Sequence, residues 1–116
     1  MSKFFQLSEF QCPCCGENKT SQALIDKLDE IREAYGKPMV VTSGYRCKKH
    51  NAEVGGVWPS DHTDGEAADI ACTRDGDRFR LIKIGLDKGL KRIGVHRAFV
   101  HLSISTVRPQ EVIWLY

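Results

Sequence analysis

Ser60-Asp61-His62-Thr63-Asp64-Gly65-Glu66-Ala67-Ala68-Asp69-Ile70-Ala71, read with Phe99-Val100-His101-Leu102-Ser103, sets the fold and the candidate chemistry together. Residues 67–71 and 99–103 have the length and alternation of β-strands. Successive side chains on a strand point to opposite faces. Asp69 therefore shares a face with Ala67 and Ala71, while Ala68 and Ile70 face the other way. On 99–103, His101 shares its face with Phe99 and Ser103, and Val100 and Leu102 turn to the core. Two neighbouring strands then present Asp69 and His101 on one face, and the loop just before 67 delivers His62. A carboxylate flanked by alanines sits where something must approach closely.

Working outward, Ser21 to Tyr35 predicts an amphipathic helix with Leu24, Ile25, Leu28 and Ile31 at helical spacing. Thr20 is its expected N-cap, Gly36 its end, and Pro38 blocks continuation. Met39 to Thr42 predicts a short strand. Residues 43–66, rich in glycine and polar side chains, predict a long loop, and such loops in compact domains are usually functional. A second helix is expected over Asp75 to Lys88, with Phe79, Ile82 and Leu86 on its buried face and Gly89 closing it. Strands are expected at Arg92 to Val95, Phe99 to Ser103 and Val112 to Trp114. The expected fold class is α+β: two principal helices against a small, mainly antiparallel sheet.

The 116 residues suit one domain, with residues 1–20 a cysteine-rich segment on it. A net charge of +2 gives no case for nucleic acid or an anionic membrane, and no stretch is apolar enough for membrane insertion. Met1-Ser2-Lys3-Phe4-Phe5 lacks the apolar run of a secretory signal, which predicts a cytoplasmic product as synthesised. A monomer is expected.

Two imidazoles and a carboxylate suit zinc, and three protein ligands leave a fourth position open, as catalytic zinc sites do. Bound water would then be acidified toward about pH 7 and a scissile carbonyl polarised.

Ser43-Gly44-Tyr45-Arg46, His50-Asn51, Val54-Gly55-Gly56-Val57, Ser60-x-His62-x-x-Gly65-x-Ala67-x-Asp69 and Phe99-Val100-His101 together resemble the zinc D-alanyl-D-alanine carboxypeptidases, which share a fold with the Hedgehog signalling domain. The resemblance runs from Phe10 to Trp114 and is nearest the short, phage-type branch. It implies zinc ligands at His62, Asp69 and His101, Arg46 on the substrate carbonyl or carboxylate, and Ser60 orienting substrate. It further implies hydrolysis of peptidoglycan stem peptides, as a carboxypeptidase or an endopeptidase. With the missing signal, it predicts a phage-encoded endolysin acting on the wall after release.

The sequence departs from the family at two positions. Many relatives carry a glutamate base three residues before the last histidine, where Ala98 stands, and the phage-type branch usually has an aspartate where Ser103 stands. His96, an imidazole suited by its type to proton transfer near neutrality, is the remaining candidate on this side, with Asp64 and Glu66 as alternatives. Two other readings follow: a zinc-binding module that does not catalyse, and a phage structural protein binding a partner through Trp58 and the 54–61 loop.

Five cysteines without a secretory signal point to thiols or metal ligands. Cys12 and Cys15, with Cys47 and His50, have the Cys-x-x-Cys and Cys-x-x-His spacing of a second, structural zinc site. Cys14 could replace either neighbour, and Cys72 is expected in the core. Such a site would anchor a segment, 1–20, that carries little else to hold it.

Overall fold

The computed structural model describes residues 2–56 and 60–116. Val57 of the family motif and Trp58 of the partner-binding reading lie outside the described residues.

Five strands form one sheet in the order β1-β2-β4-β3-β5. They are β1 (Val41–Ser43), β2 (Ala67–Ala71), β3 (Arg92–Val95), β4 (Phe99–Ser103) and β5 (Val112–Leu115). All neighbours pair antiparallel except β3 and β5, which run parallel. Helices α1 (Gln22–Tyr35) and α3 (Asp75–Asp87) cover one face, giving the α+β class expected. On that face lie Ala68, Ile70, Ile93, Val100 and Leu102, all in the buried cluster, so the strand parity read from the sequence holds.

In α1, Leu24, Ile25, Leu28 and Ile31 are buried as the spacing predicts. Each such side chain contributes about 1.5–3 kcal/mol over its exposed state. The N-cap is Ser21, not Thr20: the Ser21 hydroxyl accepts from the Ala23 N–H at 3.2 Å. Thr20 is drawn away by Asn18, whose side-chain oxygen takes the Thr20 N–H at 3.1 Å. Gly36 ends the helix in the left-handed conformation, φ 74°.

The buried face of α3 differs from expectation. Leu81 and Gly85 are its buried residues; of the three expected, Ile82 is half-buried against the core, while Phe79 and Leu86 are 69% and 46% exposed. The missing side chain at Gly85 seats the helix close to the sheet: a Cβ there would lie 3.3 to 3.6 Å from Leu90, Ile93 and Leu102. That close approach selects the Leu81–Gly85 stripe over one built on larger side chains.

Two further differences concern the segments around the site. The predicted loop 43–66 contains a six-residue helix, α2 (Lys48–Glu53), N-capped by Cys47, whose sulfur accepts from the His50 N–H at 3.4 Å. The N-terminal segment is also better anchored than its sequence suggests. A 3₁₀ turn at Leu7–Phe10 inserts Phe10, which with Phe5 joins the main core, the two rings 5.7 Å apart edge to face. Cys72 is buried in that core, as expected.

Candidate metal centre and cleft

Pairing of β2 with β4 sets Asp69 directly opposite His101, and the same row continues to Gly94 on β3 and Trp114 on β5. The row lies on the sheet face away from the helices. His62 arrives from the turn before β2, which Gly65 makes possible. At φ +72° Gly65 adopts a left-handed conformation and packs against the backbone of Lys19 and Thr20, where a Cβ would collide. Its carbonyl takes the Ser21 N–H at 2.8 Å, tying the turn to the start of α1.

His62, Asp69 and His101 are all buried, with ligand-capable atoms close together. Asp69 Oδ1 lies 2.9 Å from His101 Nδ1 and 3.3 Å from His62 Nε2. With metal–donor bonds of about 2.0–2.2 Å, a tetrahedral zinc ion separates its ligand atoms by roughly 3.4 Å, close to the second value; the first is a hydrogen bond that the ion would replace. His62 Nδ1 donates to the Gly44 carbonyl at 2.7 Å, which fixes the tautomer and leaves the Nε2 lone pair directed inward. That buried nitrogen has no hydrogen-bond partner, an arrangement that costs stability unless something fills it. The donor set therefore fits zinc.

Electrostatics agree. Burial opposes ionisation of Asp69, but His101 and His62 outweigh it and hold the carboxyl well below the usual range. Burial pushes the His62 pKa down despite Asp69, whereas for His101 the neighbouring Asp61 and Asp69 overcome burial and push it up. His101 thus lies between two carboxylates, surroundings that favour positive charge at this place.

Asp61 also lines the site, and nothing in the sequence singled it out. Its buried carboxylate faces His101 Nε2 at 3.8 Å, too far for a hydrogen bond, and pairs with Arg92 Nε at 2.9 Å and Arg108 Nη1 at 2.7 Å. Burial works against its ionisation, yet His101, Ser103 and Arg92 hold it far below the ordinary carboxylate range. The signal was present only as an acid beside a ligand histidine, and nothing in the spacing linked it to arginines 31 and 47 residues away.

An open cleft of ≈ 850 Å³ lies over this row. Arg46, Ser60, His96 and His50 line it, as do Phe99, Trp114 and Tyr116. Arg46 is half-buried and its Nε has no partner; burial lowers its pKa, countered by Asp69 and Tyr116. The Ser60 hydroxyl accepts from the His62 N–H at 3.1 Å and its carbonyl from Thr63 Oγ1 at 2.8 Å, so Ser60 also caps the turn. His96 stacks on Phe99 with centroids 4.5 Å apart, and its Nδ1 takes the Ala98 N–H at 3.0 Å. Asp64 and Glu66 do not line the cleft among the described residues; Asp64 is engaged with Arg108 at 2.6 Å. Of the cysteine set, Cys12, Cys15 and Cys47 come together with Cys14, and His50 is not among them.

A buried His–Asp–His donor set on the floor of an open cleft, beside a cationic side chain, is the construction of a metal-dependent hydrolase. The Peptidase M15 family model matches residues 3–103, and the chain belongs to that family of zinc-dependent peptidases. No curated protein matches the chain. No helix among the described residues is long and apolar enough to cross a membrane.

Proposed function

We propose that the protein hydrolyses an amide bond in the peptide stems of peptidoglycan, with zinc held by His62, Asp69 and His101. The observation that carries this reading is the convergence of three buried donor atoms around Asp69 Oδ1, within 4.8 Å of one another, beneath a cleft open to a chain-like substrate. Zinc bound there supplies Lewis acidity toward the scissile carbonyl and acidifies water.

The chain's own groups do the rest. Arg46 presents a guanidinium that binds a substrate carboxylate or an oxyanion, and its unpartnered Nε favours an anionic occupant. The Ser60 hydroxyl, already accepting from His62, keeps its proton to donate toward substrate. With Nδ1 taking the Ala98 N–H, His96 in its neutral form keeps its hydrogen on Nε2, so it serves as a hydrogen-bond donor to a substrate carbonyl and not as the base. Trp114, Phe99 and Tyr116 give an apolar wall suited to the methyl groups of alanine residues. Release from a host cell as a phage endolysin fits this substrate.

One observation favours a second reading, a zinc-binding module without turnover. The carboxylates lining the cleft among the described residues are Asp61 and Asp69, the first tied to two arginines and the second in the metal set. Digestion of defined muropeptides by the zinc-loaded protein, followed by mass spectrometry beside a His62→Ala control, separates the two. A single cleaved amide, absent in the control, supports hydrolysis and identifies the bond. Intact peptides with zinc bound support the module.

A further inference from the structure

Four of the five cysteines converge, Cys12 buried, Cys47 half-buried and Cys14 and Cys15 exposed, and none of them lines the cleft. Residues 12–17 close on themselves: the Gly16 N–H donates to the Cys12 carbonyl and the Cys12 N–H to the Glu17 carbonyl, both at 2.8 Å. Gly16 takes φ +73°, which lets the turn reverse and direct Cys12, Cys14 and Cys15 toward Cys47, the N-cap of α2. The sulfurs of Cys12 and Cys14 are 3.5 Å apart, Cys12 and Cys47 3.6 Å, and Cys14 and Cys47 3.3 Å. The fourth, Cys15, completes a set within 4.8 Å.

These separations discriminate between chemistries. A disulfide needs about 2.05 Å, and all five cysteines are free. A zinc ion with four Zn–S bonds of about 2.3 Å places its sulfurs roughly 3.8 Å apart, close to the separations here. Packing is a poor explanation, because Cys14 and Cys15 are exposed and contribute nothing to the core that Cys72 joins. Backbone amides also aim at the cluster: Cys47 N–H at Cys12 sulfur, 3.5 Å, and His50 N–H at Cys47 sulfur, 3.4 Å. Such donors stabilise thiolates bound to a metal.

We propose that Cys12, Cys14, Cys15 and Cys47 bind a structural zinc ion, separate from the His62–Asp69–His101 set. Its ligand set is four thiolates, with Cys14 in place of His50, which is left to line the cleft. The ion joins segments 35 residues apart, where Tyr45 already bonds the Phe10 carbonyl at 2.7 Å and Glu17 at 3.0 Å. Because Arg46 lies between Tyr45 and Cys47 and bonds the His62 carbonyl at 3.3 Å, the ion fixes the segment that carries Arg46 against the cleft.

The test uses the full chain, with zinc content measured by plasma mass spectrometry and cobalt substitution read by absorption. The wild type should hold about two zinc ions, and its cobalt form should show intense thiolate-to-cobalt charge transfer. Cys14→Ser, at an exposed position, should lose about one zinc and that band while keeping its far-ultraviolet circular dichroism. His62→Ala should lose the other zinc and keep the band, and His50→Ala should keep both. Zinc should shield four thiols from alkylation in the wild type, a readout that needs no variant. A wild type without the band, with those thiols equally reactive with and without zinc, would overturn the proposal. So would loss of the band in His50→Ala, or iron in place of zinc in the thiolate set.

Discussion

Adding one methyl group at Gly94 perturbs the row that carries the site without touching a candidate ligand. A Cβ at that position would lie 2.7 and 2.8 Å from atoms of the Trp114 indole and 2.8 Å from Tyr116. Carbon atoms in comfortable contact stand about 3.5–4.0 Å apart, so the overlap is roughly 0.8 Å or more. Overpacking of this kind costs about 1–3 kcal/mol. Both rings belong to the last strand and its end, where they can shift, which places Gly94→Ala toward the lower part of that range. At roughly 4 °C per kcal/mol for a domain of this size, the melting temperature should fall by about 4–8 °C. The assay is thermal unfolding by circular dichroism, run as a double-mutant cycle. In a Trp114→Ala, Tyr116→Ala background the clash is gone, and Gly94→Ala should become neutral or slightly stabilising through its effect on the unfolded chain. The same loss with and without the rings would refute the view that Gly94 is small because the indole lies over it beside His101, where the ring centroids are 5.1 Å apart.

Asp61→Asn should destabilise the fold by about 3–5 kcal/mol in urea unfolding, because it leaves Arg92 and Arg108 without their buried carboxylate, and should weaken zinc binding by removing a negative charge 3.8 Å from His101 Nε2. Phe10→Ala removes a fully buried ring from the core and should cost about 3–5 kcal/mol, showing that the N-terminal segment is held by packing as well as by its cysteines. Tyr35 and Tyr45 should both ionise above the usual phenol range on spectrophotometric titration. Burial raises both, and the Glu17 carboxylate helps push Tyr45 to about 12. Since the folded pKa values exceed the unfolded ones, the associated stability is complete below pH 10 and is lost as pH rises toward 12.

The strands and the convergence of His62, Asp69 and His101 were legible because they depend on local alternation. Ala68 and Ile70 against Asp69, and Val100 and Leu102 against His101, fix which face is buried, and burial of one face fixes register. The buried stripe of α3 was not legible, because Gly85 gives no hydrophobic signal and acts only through Leu90, Ile93 and Leu102 from elsewhere in the chain. Helix α2 is short and polar, and its cap is a cysteine sulfur, which no pattern of apolar residues announces. The Cys-x-x-Cys spacing pointed to the cysteine cluster but could not distinguish His50 from Cys14, a choice made by the turn at Cys12–Gly16. Asp61 was hidden for the same reason, since its partners Arg92 and Arg108 are brought to it by tertiary structure alone.

The most direct test of the central claim follows hydrolysis of a defined muropeptide while zinc is returned stepwise to the metal-stripped protein, in the wild type and in Asp69→Asn. Cleavage of one amide should rise with occupancy of the His62–Asp69–His101 site and be lost in the variant while its thiolate-bound zinc remains. Cleavage that persists in Asp69→Asn, or a wild type that binds zinc at this site and leaves every muropeptide intact, would contradict it.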